Sequence, residues 1–147
     1  MGSFVEGEIN RELSNPFDCQ EAKRNDTVAG MKIISIDYGS YYKNICGANV
    51  EFSSKVAITG TYEHWSKDEY FGDCVVFYPD ENSKNKLPKM ISDNRIIWFT
   101  FTNYKEAVQA FGSKGSEGIA TIVINNYHII WYETEVSNTA KLVEVLQ

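Results

Sequence analysis

A mainly β, α+β domain is what this sequence predicts: a small antiparallel, partly closed barrel with one inserted helix and a short N-terminal arm. Three observations predict it. Runs of β-branched and aromatic residues recur at short spacing from Met31 onward, a single segment has clear helical periodicity, and strands and helices do not alternate as a parallel doubly wound sheet requires. At 147 residues, 43% apolar and 14% aromatic, the chain can bury a core without a metal or disulfide staple.

Residues 1–29 are polar, acidic and without sustained period, so they read as an arm with one short helix near Cys19–Arg24; residues 30–147 form the single β-rich domain. Lys32–Tyr38 is a strand by its β-branched residues, ended by the cluster Gly39–Asn44. Ala48–Phe52 follows. In Lys55–Trp65, Val56, Ile58 and Tyr62 alternate with Thr59, Thr61 and Glu63, the pattern of a sheet with one wet face. Gly60 falls where a side chain would point inward, which marks a bulge or a sharp barrel bend. Asp73–Tyr78 is a further strand, and Asp80 is a fair N-cap for one helical turn ending before Pro88.

Arg95–Phe101 is the most apolar strand. In the next segment Tyr104, Ala107, Val108 and Phe111 fall at helical spacing, with Asn103 and Glu106 as a capping box and Gly112 as the stop. After a glycine-rich loop at 112–118 come Ile119–Ile124 and His128–Thr134, joined at Asn125-Asn126 by either a tight hairpin or a bulge in one long strand. Leu142–Leu146 is the last strand. This order of strands, helix and strands fits a barrel of the oligonucleotide/oligosaccharide-binding (OB-like) type, an architecture that carries no function by itself.

Charge excludes more than it selects. Fourteen Lys and Arg against twenty Asp and Glu leave a net of −6, a field that repels phosphate backbones, so no nucleic-acid partner is expected. Lys84, Lys86 and Lys89 lie among Asp80, Glu81 and Asp93 and read as a solvated loop. No apolar run approaches the roughly 20 residues of a membrane span. Cys19 and Cys46 sit in turn-rich surroundings and Cys74 in an apolar strand, which suits a Cys19–Cys46 disulfide with Cys74 a buried thiol. That bridge, and a leader removed upstream of Met1, fit a periplasmic or secreted protein; the cytoplasm is the alternative. Asn25-Asp26-Thr27 matches the N-glycosylation acceptor, a short and unspecific pattern.

Catalytic motifs are few. His64 and His128 have no second ligand at zinc spacing, and no cofactor is expected. Ser40-Tyr41-Tyr42-Lys43 and Ser92-Asp93-Asn94 match two elements of serine penicillin-recognising enzymes, but the third is missing and Ser40 falls in a turn instead of at a helix start. The loop at 112–118 matches no phosphate-cradling pattern. Carboxylates Glu63, Asp68, Glu69 and Asp73 surround one loop as an acidic rim, and Tyr41, Tyr42, Tyr62, Trp65, Tyr70 and Phe71 are aromatics at strand ends or in that loop.

Apolar anchors with an acidic surround compose a protein-recognition patch. The sequence therefore points to a non-enzymatic binding or inhibitory module, of the immunity type or associated with a bacterial envelope, that meets a basic toxin or enzyme. Its expected surface is Tyr62, His64, Trp65, Asp68, Glu69, Tyr70, Phe71 and Asp73. The alternatives are a small hydrolase using Glu63, His64 and Asp73, and an oligosaccharide-binding barrel in which Trp65 and Tyr62 stack on sugar.

Overall fold

The computed structural model describes residues 11–42, 45–68, 72–91, 93–131 and 138–147, with the backbone alone at 38–42, 45–47, 67 and 68. Its elements are β1 (Glu12–Leu13), β2 (Thr27–Val28), β3 (Met31–Tyr42), β4 (Ile45–Ser53), β5 (Val56–Asp68), β6 (Gly72–Pro79), α1 (Glu81–Lys84), β7 (Phe99–Phe101), α2 (Tyr104–Phe111), β8 (Glu117–Trp131) and β9 (Asn138–Val145).

Five strands close into a barrel in the order β5-β6-β7-β9-β8 and back to β5. With α2 inserted between β7 and β8, the third and fourth barrel strands in chain order, this is the OB-like arrangement. Two details depart from the sequence expectation. The barrel is closed instead of partly closed, and it is not wholly antiparallel, because β7 and β9 run parallel from Phe99↔Asn138 to Phe101↔Ala140.

Closure depends on β5 and β8 bending tightly. Gly60 pairs with Pro79 on one side and Ala120 on the other, and a Cβ there would lie 2.1 Å from the Tyr78 carbonyl oxygen, so only glycine allows the approach. In β8 the core-facing residues are Ala120, Ile122 and Ile124, then Tyr127 and Ile129. The phase flips at Asn126, whose φ of 54° makes a bulge in one long strand instead of a hairpin turn. The flip lets β8 pair with β5 over Glu117–Ile124 and with β4 over His128–Trp131.

Beyond β8 the sheet continues through β4, β3, β2 and β1. Residues 11–29, the described part of the segment expected as an arm, are built into this extension. Phe17, Cys19, Ala22 and Val28 are all buried in the common core, and only one turn, Asp18 to Ala22, stands where a short helix was expected. Phe17 meets Phe52, Phe52 meets Tyr127, and Tyr127 meets Phe99 at ring-centroid distances of 6.0–6.5 Å, so a file of rings joins the extension to the barrel. Cys19 is disulfide-bonded; the side chain of Cys46, its expected partner, is outside the described residues.

The helix ends follow different rules. Asp80 caps α1 by accepting from the Ser83 N–H at 2.8 Å, as the sequence suggests. Asn103, expected to cap α2, makes no such bond: its amide donates to the Leu142 carbonyl at 2.8 Å and accepts from the Leu142 N–H at 2.9 Å. A side chain thereby stands in for a neighbouring strand along β9. The strand expected at Arg95–Phe101 is regular only from Phe99, because Arg95 leaves the sheet to clamp the preceding loop. Its guanidinium grips Asp93 at 2.8 and 2.9 Å and donates to the Ile130 carbonyl and to Asn138. No helix among the described residues is long and apolar enough to cross a membrane.

Candidate functional site

The stretch Tyr62-Glu63-His64-Trp65 in β5 supplies two different environments, because successive strand residues point to opposite faces. Tyr62 and His64 point into the barrel end that α2 covers. The Tyr62 ring stacks on Phe111 at 4.5 Å, and Gly118, its partner in register, has no Cβ to obstruct the phenol. His64 is 4% exposed. Its Nδ1 lies 3.0 Å from the Gly112 carbonyl, which can only accept, so Nδ1 carries the proton and Nε2 accepts from the Tyr104 hydroxyl at 2.7 Å. Both ring nitrogens are thus engaged in holding the two ends of α2 to the barrel.

Glu63 and Trp65 point outward. The Trp65 indole Nε1 donates to the Glu63 carboxylate at 3.0 Å. Trp65 meets Trp98 at 5.9 Å and Trp98 meets Tyr78 at 6.4 Å, so three half-buried rings from β5, β6 and the approach to β7 form one outer cluster. On the same side of β6, Cys74 and Val76 are buried. Burial pushes the Tyr78 hydroxyl above the usual phenol range, and the Glu63 carboxylate and Cys74 add to that shift.

Toward β8 the outer face opens. Thr61 stands opposite Ile119, which is 77% exposed, and Glu63 stands opposite the exposed Glu117. A shallow depression runs between them, lined by Thr61, Glu63, Glu117 and Ile119. Ile96, two residues before Trp98, is 74% exposed. The rings, Ile119 and two carboxylates therefore share the outer face of β5 and its neighbours.

The residues expected from sequence are dispersed by this geometry. Trp65 lies on the outer cluster; Tyr62 and His64 are inside, as parts of the barrel closure. Asp73 ion-pairs with Lys114 at 3.0 Å and ties β6 to the glycine-rich loop, a contact that raises the Lys114 pKa. Glu69, Tyr70 and Phe71 lie outside the described residues, as do the side chains of Asp68, Tyr41 and Tyr42. The Glu63, His64 and Asp73 set of the hydrolase alternative is not assembled: His64 bonds Tyr104 and Gly112, while Glu63 bonds Trp65 on the opposite face. Ser40 lies in β3 instead of at the start of a helix, and Lys43 and Ser92 lie outside the described residues. Among the described residues no group of three or more His, Cys, Asp or Glu converges to hold a metal.

Tyr78, Trp98, Glu117 and Ile119 were not singled out by sequence reasoning. The signal was present in the alternation: Val75 and Phe77 are core, so Tyr78 faces out, and Phe99 is core, so Trp98 faces out. No family model, characterised protein or solved structure matches the chain. The outer face must therefore be interpreted from its own chemistry.

Proposed function

We propose that the chain is a non-enzymatic binding module that engages a protein partner through the outer face of β5, β6 and β8. The observation that carries this reading is the half-exposed Trp65–Trp98–Tyr78 cluster lying beside exposed Ile119 and the carboxylates of Glu63 and Glu117. Aromatic and aliphatic anchors inside a polar surround are the composition of interface hot spots. A net charge of −6 favours fast association with a basic partner, as an immunity-type or envelope-associated inhibitor of a toxin or enzyme requires. The disulfide at Cys19 supports a periplasmic or secreted setting.

The carbohydrate alternative is less well supported. Tyr62 is turned inward, and Trp98 is tilted 47° from Trp65 and 40° from Tyr78, so the rings offer no common plane for stacking. The test is affinity capture from the native producer with the wild-type chain, Trp65→Ala and Ile119→Asp. One defined protein retained by wild type and lost with both variants is the expected result. Saturable binding of a sugar panel that quenches tryptophan fluorescence without salt dependence would replace this reading with the carbohydrate one.

A further inference from the structure

Building on the proposed docking face, we infer that its occupant is a protein segment that places a lysine or arginine side chain between Glu63 and Glu117. The β5–β8 register sets these residues directly opposite one another on one face. Like charges in that position destabilise a sheet unless something lies between them. Neither carboxylate takes part in the ion pairs among the described residues, which are Arg11–Asp26, Lys84–Glu81, Arg95–Asp93 and Lys114–Asp73. Glu63 is held in place by the Trp65 indole, which donates one hydrogen bond to the carboxylate and leaves its remaining lone pairs for a cation.

The surroundings select which cation. Thr61, Ile119, Tyr78 and Trp65 make the neighbourhood apolar and aromatic, which suits the hydrocarbon stem of a lysine or arginine and a charge attracted to ring faces. A divalent metal held by protein wants at least three converging ligand side chains, and no such group of His, Cys, Asp or Glu exists among the described residues. A second copy of the chain would bring two further carboxylates to the same place. A nucleic acid would meet repulsion. The occupant is therefore a basic segment of another protein, with apolar residues beside its cation to cover Ile119.

The test uses the full chain and an acetylated, amidated Ile-Lys-Ile tripeptide, with the Ile-norleucine-Ile counterpart as control, followed by NMR at the Trp65 indole N–H. The lysine peptide is expected to shift that resonance saturably and to bind at least about ten-fold more tightly than the norleucine peptide. Joint Glu63→Gln and Glu117→Gln substitution removes this preference. Joint Glu81→Gln and Glu144→Gln substitution, the same charge change elsewhere on the surface, leaves it within about two-fold. Equal binding of the two peptides, both abolished by Ile119→Asp, would overturn the cation inference while the docking face stands. No saturable shift with either peptide would also overturn it, whereas failure of the docking face itself shows as partner capture unaffected by Ile119→Asp.

Discussion

The same four residues of β5 serve two regions that look alike by composition and differ in every physical respect. Inside, Tyr62 and His64 join Tyr104, Phe101 and Phe111 in a cluster where both imidazole nitrogens and the Tyr104 hydroxyl are bonded within the chain. Outside, Glu63 and Trp65 join Tyr78, Trp98 and Glu117 in a cluster with rings still partly in water and a carboxylate pair that joins no ion pair among the described residues. Both are rings with hydrogen-bonding neighbours. The difference teaches that aromatic content marks closure where donors and acceptors balance, and recognition where charge and apolar surface are left facing solvent.

If the inner region is closure, changes there lower stability and leave the outer face intact. Gly60→Ala is expected to have the largest effect, because the new Cβ would lie 2.1 Å from the Tyr78 carbonyl oxygen and 2.8 Å from the Phe77 ring. Two paired strands must separate to admit it, at a cost of about 3 kcal/mol or more. Urea denaturation reads that loss, and an unchanged midpoint would show that β5 and β6 do not pack as described.

His64→Ala comes next. It strands the Tyr104 hydroxyl and the Gly112 carbonyl, for a loss of about 2 kcal/mol. Partner binding by the variant at temperatures where it is folded should equal wild type. Binding lost in step with the imidazole would break the division into inner and outer roles.

Trp65→Ala reverses the pattern. The ring is only half buried, so its removal should lower stability by about 1.5–2.5 kcal/mol, half the cost of emptying a fully buried tryptophan site. Binding, by contrast, should fall below detection. A stability loss as large as that of a core tryptophan, with binding retained, would make the outer cluster a second core.

How much of this was legible follows from the range of each force. Local patterns showed α2 over Tyr104–Phe111, the Asp80 cap, the constraint at Gly60 and the alternation of β5, because each depends on a few neighbouring residues. What escaped depends on pairing across the barrel. Nothing near Asn103 reveals that its amide will bond Leu142 instead of capping α2, since that partner lies 39 residues away. The segment 1–29 reads as an arm because its few apolar residues lack period; Phe17, Cys19, Ala22 and Val28 are nonetheless buried, held by the backbone bonds of Phe17 with Lys89 and Ile91, by the turn at Asp18 and by β2. Trp98 was hidden inside an apolar run that reads as wholly core.

The smallest expected effect lies at the edge of both regions, where β8 crosses from the barrel to the extension. His128 is half buried against Asn49 of β4, and that burial lowers its pKa from the usual 6.5, with Glu51 opposing the shift. A depressed folded-state pKa means that the unfolded chain takes up its proton first. The contribution of neutral His128 is therefore complete above about pH 6.5 and declines as the pH falls through the lower folded-state value. Unfolding midpoints in urea should drop modestly between pH 7 and pH 5, and His128→Gln should flatten that slope without changing the midpoint difference between wild type and Trp65→Ala. Persistence of the full slope in His128→Gln would move the proton uptake away from the β4–β8 junction.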